Sequence, residues 1–219
     1  LKIKFFQHLL SYLLPVKVAS APGKTTPNLE LYRYQGRWQL GAATAIYSDG
    51  AAYRPLTEAF GYLKKKLTQK QNLLVLGAGL GSAVSVLQKM NIPIPCTLVD
   101  IDPQVIDWGK EILEPEPKMP CNWICEDVQT FVQHHSEKYD LIVLDVFQDR
   151  VVPQFVTNKS FLTECSLMLQ DETSHLVLNY IINNEQNWEL AQQNIQSVFT
   201  VEHCISIGIN RIMILRKNA

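Results

Sequence analysis

From residue 72 onward the chain alternates short apolar runs with amphipathic stretches, and this rhythm limits the possible folds more than any other feature. Runs at 73–76, 96–99, 122–125, 141–144 and 175–182 read as strands. Segments 82–90, 103–113, 128–135, 159–169 and 188–198 read as the helices that follow them. The second of these helices opens on Pro103, a residue suited to the first helical turn. A strand that is apolar at nearly every position must be covered on both faces, which points to a parallel sheet between helical layers. Two more strands, 201–207 and 210–216, are joined by too short a link for a crossover, so the last must enter antiparallel.

The expected fold class is therefore α/β: a Rossmann-like seven-stranded, mostly parallel sheet with an antiparallel last strand. A small N-terminal β-region precedes it. There, 29–47 is rich in Tyr, Trp, Leu and Ile, is broken by a turn signal at Gln35-Gly36-Arg37, and ends at Ser48-Asp49-Gly50. Residues 53–68 form a helical pattern with Leu56, Ala59, Phe60, Leu63 and Leu67 on one face. The chain divides into residues 1–50, an N-terminal helix with a small β-region, and residues 51–219, a nucleotide-binding domain. Phe6, Leu9, Leu10, Leu13 and Leu14 fall at helical spacing. Lys2 and Lys4 before an apolar stretch give a faint signal-peptide outline, but Gln7, His8, Ser11, Tyr12 and Lys17 interrupt it and favour an amphipathic helix.

At 219 residues, with 47% hydrophobic and 19% charged residues, the chain can bury a sizeable core. The net charge of −1, with only Lys64-Lys65-Lys66 as a basic run, argues against a nucleic-acid partner. No run approaches a membrane span. The five cysteines are scattered without Cys-x-x-Cys spacing, which suits a reducing, cytoplasmic setting. His134-His135 has no third ligand at useful spacing, so no metal is expected.

Chemistry is expected at the carboxyl ends of the strands, where such sheets hold their ligands. Gly77-Ala78-Gly79-Leu80-Gly81 follows the first strand of this sheet. Glycines serve there because the chain turns sharply and a ligand approaches the backbone closely. Asp100 ends the second strand, 19 residues after Gly81, where a carboxylate accepts bonds from ribose hydroxyls; its other reading is a helix cap, for which Asp102 is better placed. Ser82 stands where a dinucleotide loop has its third glycine, which tilts the reading from NAD toward an adenosyl thioether. Asp127, with Val128 beside it, either accepts from an adenine amino group or caps the next helix. Asp145, after the fourth strand, either orients and deprotonates a nucleophile or braces its own loop.

Together the stretches LLVLGAGLGS (73–82), TLVDIDPQVIDWGKEIL (97–113), EDVQTFV (126–132) and YDLIVLDVFQDRVVPQFVTNKSFLTE (139–164) resemble the spermidine synthase-like branch of the class I S-adenosylmethionine-dependent methyltransferase superfamily. The resemblance covers roughly residues 29–216. It implies S-adenosylmethionine or its decarboxylated form as cofactor, a small-molecule acceptor as partner, and a homodimer. It assigns Gly77, Gly79, Asp100, Asp127 and Asp145 to the nucleotide site. The cofactor-binding candidates are thus Gly77, Ala78, Gly79, Gly81, Asp100, Ile101, Asp127, Val128 and Asp145, with Asp145 also catalytic. Asp49, Tyr53 and Asp149 are the substrate-binding candidates.

The sequence departs from the polyamine synthases of that branch. Asp49 and Tyr53 match their Asp-Glu-x-x-Tyr-His-Glu pattern, but its glutamates and histidine are absent. Their second acid after the fourth strand is Gln148 here, with Asp149 one place late, and Leu80 replaces a loop aspartate. Arg54 and Arg150 would repel a polycation. On this reading the chain is a methyltransferase with an unknown small acceptor, and polyamine synthesis is doubtful. The alternatives are aminopropyl transfer from decarboxylated S-adenosylmethionine, and a non-catalytic nucleotide-binding domain.

Overall fold

The computed structural model describes residues 1, 3–42, 45–113, 119–148 and 150–218. Four short strands come first: β1 (Val16–Ala21), β2 (Leu29–Tyr34), β3 (Arg37–Ala42) and β4 (Ala45–Ser48). They form an antiparallel sheet in the order β1-β2-β3-β4. The β2–β3 turn places Gln35 and Gly36 at φ 46° and 74°, the left-handed geometry of a tight hairpin.

The second sheet contains β5 (Leu73–Leu76), β6 (Cys96–Asp100), β7 (Cys121–Cys125), β8 (Leu141–Leu144), β9 (His175–Ile181), β10 (Phe199–Ile207) and β11 (Asn210–Lys217). Its order is β10-β11-β9-β8-β5-β6-β7. β11 lies between β9 and β10 and pairs antiparallel with both. The connecting helices are α2 (Arg54–Leu67), α3 (Ser82–Met90), α4 (Pro103–Leu113), α5 (Val128–His134), α6 (Lys159–Leu167) and α7 (Glu185–Gln196).

Side-chain alternation explains how strands that look uniformly apolar serve two cores. Leu74, Leu76, Ile142, Leu144, Leu176 and Leu178 pack with Phe131, Leu162 and Ile195 from α5, α6 and α7. Leu73, Val75, Leu141, Val143 and Val177 face the other way, against Phe60, Leu63, Val84 and Leu87 from α2 and α3. A fully buried Leu contributes about 1.5–3 kcal/mol, so the central strands resist displacement. That rigidity sets the spacing of the loops that follow them.

The N-terminus departs from the expected amphipathic helix. Helix α1 spans only Phe5–Leu10, none of its residues is buried, and Phe6 and Leu13 are 72% and 81% exposed. Pro15 cannot donate to a continuing helix, and Val16 and Val18 enter β1, where pairing with β2 outweighs their local helical spacing.

A third cluster joins the two sheets: Leu29, Leu31 and Leu40 pack with Leu80, Val105 and Trp108. Beside it the Oγ atoms of Ser48 and Ser82 lie 2.6 Å apart in buried surroundings, and the Asp49 N–H donates to Ser82 Oγ at 3.3 Å. The β4 end is thereby clamped to the start of α3. We predict that Ser82→Ala, which strands these partners, costs about 1–3 kcal/mol. A lowered urea midpoint at constant m-value would register this, and an unchanged midpoint would reject the clamp.

Candidate active site

Strand order reverses between β5 and β8, which opens a crevice at their carboxyl ends. A cavity of about 350 Å³ fills it, within the range of small-molecule sites. The Gly77–Gly81 turn builds one wall. The N–H groups of Gly77 and Ala78 both donate to Val99 O at 3.0 Å, so the loop bends over the end of β6. Gly77, Gly79 and Gly81 have φ of 86°, 53° and 79°. Positive φ at three alternate positions is the reason for the glycine pattern.

Asp100 lines the cavity and is held by the loop it faces: Oδ2 accepts from the Gly79 N–H at 2.9 Å and Oδ1 from the Asp102 N–H at 3.1 Å. Burial pushes its carboxyl up to about 6, and these two N–H groups partly offset the rise. A carboxylate accepts about four bonds in all, so Asp100 keeps capacity for a ribose hydroxyl. Asp102 caps α4 by accepting from the Gln104 N–H, and its other oxygen accepts from the Lys24 N–H at 2.6 Å. That second bond draws the 22–28 loop over the cavity, so Thr25 and Thr26 enter its lining.

Asp127 does what the capping interpretation requires: its Oδ1 accepts from the N–H groups of Gln129 at 2.8 Å and Thr130 at 3.4 Å. It also lines the cavity beside Val128, so the two roles are compatible.

Asp145 is the most constrained of the acids. Its Oδ1 accepts from Asn179 Nδ2 at 2.9 Å and from Tyr53 Oη at 3.2 Å. Among the described residues its Oδ2 has no hydrogen bond. Burial pushes the Asp145 carboxyl up to about 6, against the lowering effect of those two donors. Tyr53 is held well above the usual phenol range, chiefly by burial and then by the Asp145 charge, so it stays a donor.

A second cavity, of about 760 Å³, adjoins the first and shares Tyr47 and Phe147 with it. Tyr53 lines the second and Asp145 the first, so their hydrogen bond lies where the two meet. Glu30 faces the second cavity, its oxygens taken by Lys17 at 3.1 Å and Tyr32 at 2.7 Å.

Of the residues singled out from sequence, the cavity gathers Gly77, Gly79, Asp100, Ile101, Asp127, Val128 and Asp145. Ala78 is instead packed into the core, and Gly81 starts α3, where a Cβ would lie 2.4 Å from Leu113. Asp49 lines neither cavity; its Oδ1 binds Arg37 at 3.1 Å and Gln39 at 2.9 Å. Asp149 lies outside the described residues. Thr25, Thr26, Leu29, Leu40 and Tyr47 escaped sequence reading, since no local pattern marks a residue delivered by a separate sheet; Phe147 lines the cavity from the loop after β8. Asn179 did leave a signal: it is a lone amide in the apolar run of β9. Among the described residues no cluster of three His, Cys, Asp or Glu suits a metal, and no helix is long and apolar enough to cross a membrane.

Residues 56–209 match the spermine/spermidine synthase domain family. A polyamine aminopropyltransferase of Sulfurisphaera tokodaii is 29% identical over 118 residues, 47% of this chain and 38% of the relative. One from Sulfolobus acidocaldarius is 32% identical over 115 residues, with the same shares. The chain thus spans 38% of the length of these curated relatives. A probable spermidine synthase from Corynebacterium glutamicum superposes with a TM-score of 0.73 at 16% identity, covering 93% of this chain and 81% of that one, which supports the fold. These findings overturn the expectation of methyl transfer with doubtful polyamine synthesis. That expectation leaned on single positions, which the structure divides: Arg54 lies near Glu58 at 3.7 Å, is 69% exposed and lines neither cavity, whereas Arg150 lines the second cavity but not the first.

Proposed function

The chain belongs to the spermine/spermidine synthase domain family, and from that premise we propose that it transfers an aminopropyl group from decarboxylated S-adenosylmethionine to a primary amine of the polyamine class. One observation carries the choice of donor. The first cavity is lined by four carboxylates, those of Asp100, Asp102, Asp127 and Asp145, and among the described residues by no Lys, Arg or His. A donor whose tail ends in an ammonium and whose sulfur is cationic suits such walls. Intact S-adenosylmethionine would bring a carboxylate with no cation to meet it.

The residues support a division of labour. Asp100 and Asp127 would hold ribose and adenine, with Gly79 leaving room for the nucleoside. The amine acceptor would enter through the second cavity and reach the junction at Tyr53 and Asp145. There its nitrogen attacks the propyl carbon next to sulfur; the C–N bond forms, the C–S bond breaks, and a neutral thioether leaves. The nitrogen's proton passes to the free Oδ2 of Asp145, directly or through water, while Tyr53 and Asn179 hold the other oxygen. Alignment of nitrogen, carbon and sulfur supplies much of the acceleration.

Calorimetry with both nucleotides tests the donor: the decarboxylated form is expected to bind more tightly, and preference for the intact form would overturn the proposal. Asp100→Asn should weaken nucleoside binding about 10- to 100-fold, because hydrogen bonds to a charged acceptor become neutral. Turnover should rise with pH through about 6, since the raised Asp145 carboxyl must ionise before it can take a proton. A kcat profile flat from pH 5 to 7 would remove Asp145 from that role.

A further inference from the structure

Asn179 lies in the middle of β9, is 1% exposed, and is flanked there by apolar residues. A buried amide weakens a core unless its hydrogen bonds are made. Here they are made in a directional chain. Asn210 Nδ2 donates to Asn179 Oδ1 at 2.9 Å, and Asn179 Nδ2 donates to Asp145 Oδ1 at 2.9 Å and to Tyr53 Oη at 3.2 Å. The antiparallel pairing of β11 with β9 sets Asn210 opposite Ile181, diagonal to Asn179. The Asp145 carboxylate, which only accepts, fixes the orientation of the Asn179 amide, and Asn210 Nδ2 satisfies the Oδ1 that this orientation turns away from it. With the amide turned over, Asn179 Oδ1 would face the Asp145 carboxylate, oxygen against oxygen.

We propose that Asn179, with Asn210 behind it, is a positioning pair that holds Asp145 by one oxygen and presents the other to the attacking amine. The inference rests on the aminopropyl-transfer reading. It explains why both bonds to Asp145, a residue that lines the cavity, converge on Oδ1 while among the described residues none is made to Oδ2. It also gives the antiparallel β11 a role in the site: the strand inserted beside β9 brings the donor that satisfies Asn179 Oδ1 and braces the amide behind Asp145. Asn210 itself lines the second cavity, so the pair spans from that cavity to Asp145. Tyr53 is the titratable group touching Asp145; Asp100, Asp102 and Asp127 line the same cavity, and Glu30 and Arg150 the adjoining one.

The test uses the full chain, decarboxylated S-adenosylmethionine and putrescine, with release of methylthioadenosine followed from pH 5 to 9. Asn179→Leu is expected to lower kcat about 10- to 100-fold, leave KM for the nucleotide within about twofold, and move the acidic limb of the kcat profile upward. Asn210→Ala, at a half-exposed position and therefore the safer variant for folding, should shift kcat and the limb in the same direction by a smaller factor. Loss of activity through a raised KM at unchanged pH profile would mark a merely structural role and overturn the inference. Retention of wild-type kcat and profile by folded Asn210→Ala would overturn it too. A wild-type chain that folds, binds the nucleotide and turns over no amine defeats the functional reading, and the inference falls with it.

Discussion

Asp145→Asn is expected to cut turnover by a factor of about 10²–10⁴, the usual contribution of a positioned proton acceptor, while making the ligand-free protein more stable. The carboxyl titrates near 6 in the fold, above the ~3.9 of an unfolded chain. The native state therefore holds more protons than the unfolded state between about pH 4 and 6, and the free energy of unfolding falls as pH rises through that window. Above it the full penalty of a buried charge remains. Asn has nearly the same shape, accepts the same bonds from Tyr53 and Asn179 through its Oδ1, and carries no charge. The expected gain at pH 7.5 is about 1–3 kcal/mol, or roughly 3–10 °C in Tm for a chain of this length. Below about pH 4 wild-type Asp145 is itself neutral, and the gain should vanish. Calorimetric scans at pH 7.5 and 4 check both halves. A variant less stable than wild type at pH 7.5 would mean that the charged hydrogen bonds outweigh desolvation, contrary to the burial described above. Such an exchange of stability for reactivity is expected where a site is built from charges held against water.

The second large effect belongs to Gly77. A Cβ there would lie 2.4 Å from the carbonyl oxygen of Asp145 and 2.9 Å from its carbonyl carbon, at a φ of 86°. Both contacts are backbone, and neither strand can yield. Gly77 N–H is bonded to Val99 O at 3.0 Å, and Asp145 N–H to Leu76 O at 2.9 Å. Relief would require β5 and β8 to part in the centre of the sheet. Overpacking of about 1–3 kcal/mol adds to left-handed strain of about 1–2 kcal/mol. Gly77→Ala should therefore lose about 2–5 kcal/mol, a large share of the 5–15 kcal/mol that holds a typical domain. Any folded fraction should also be inactive, because the displaced atom belongs to Asp145. Gly50→Ala is the control: φ is also positive, at 51°, but nothing lies within 4 Å of the added Cβ, so strain alone remains at about 1 kcal/mol. Urea unfolding of the two variants compares them directly, and equal losses would show that crowding at Gly77 is absorbed elsewhere.

These two residues illustrate what was legible beforehand. The apolar runs, the glycine turn and the acids closing β6 and β8 are local patterns, because strand burial on both faces demands continuous apolar residues and a tight turn demands positive φ. Asp100, Asp127 and Asp145 were placed by counting from strand ends, and their carboxylates do share one cavity. Tyr53 was found by motif, yet its match with Asp49 misled: Asp49 is drawn away to Arg37 and Gln39. The motif's departures also pulled the chemistry toward methyl transfer, because one-dimensional comparison counts Arg54 as a site residue although its side chain points to solvent.

The sequence by itself determined the class of sheet, the order of its strands and helices, and which acids stand at strand ends, since these follow from periodicity and chain stereochemistry. Only the tertiary structure decided which carboxylates lose water and which hydrogen bonds meet them. Tyr53, Asp145, Asn179 and Asn210 come from four separate segments and meet only because β8, β9 and β11 lie side by side in the sheet, with Asn210 arriving on β11. Desolvation and non-local pairing are properties of packed elements, not of neighbours along the chain. For that reason the glycine loop could be read in advance, whereas the charge state of the acid beside it could not.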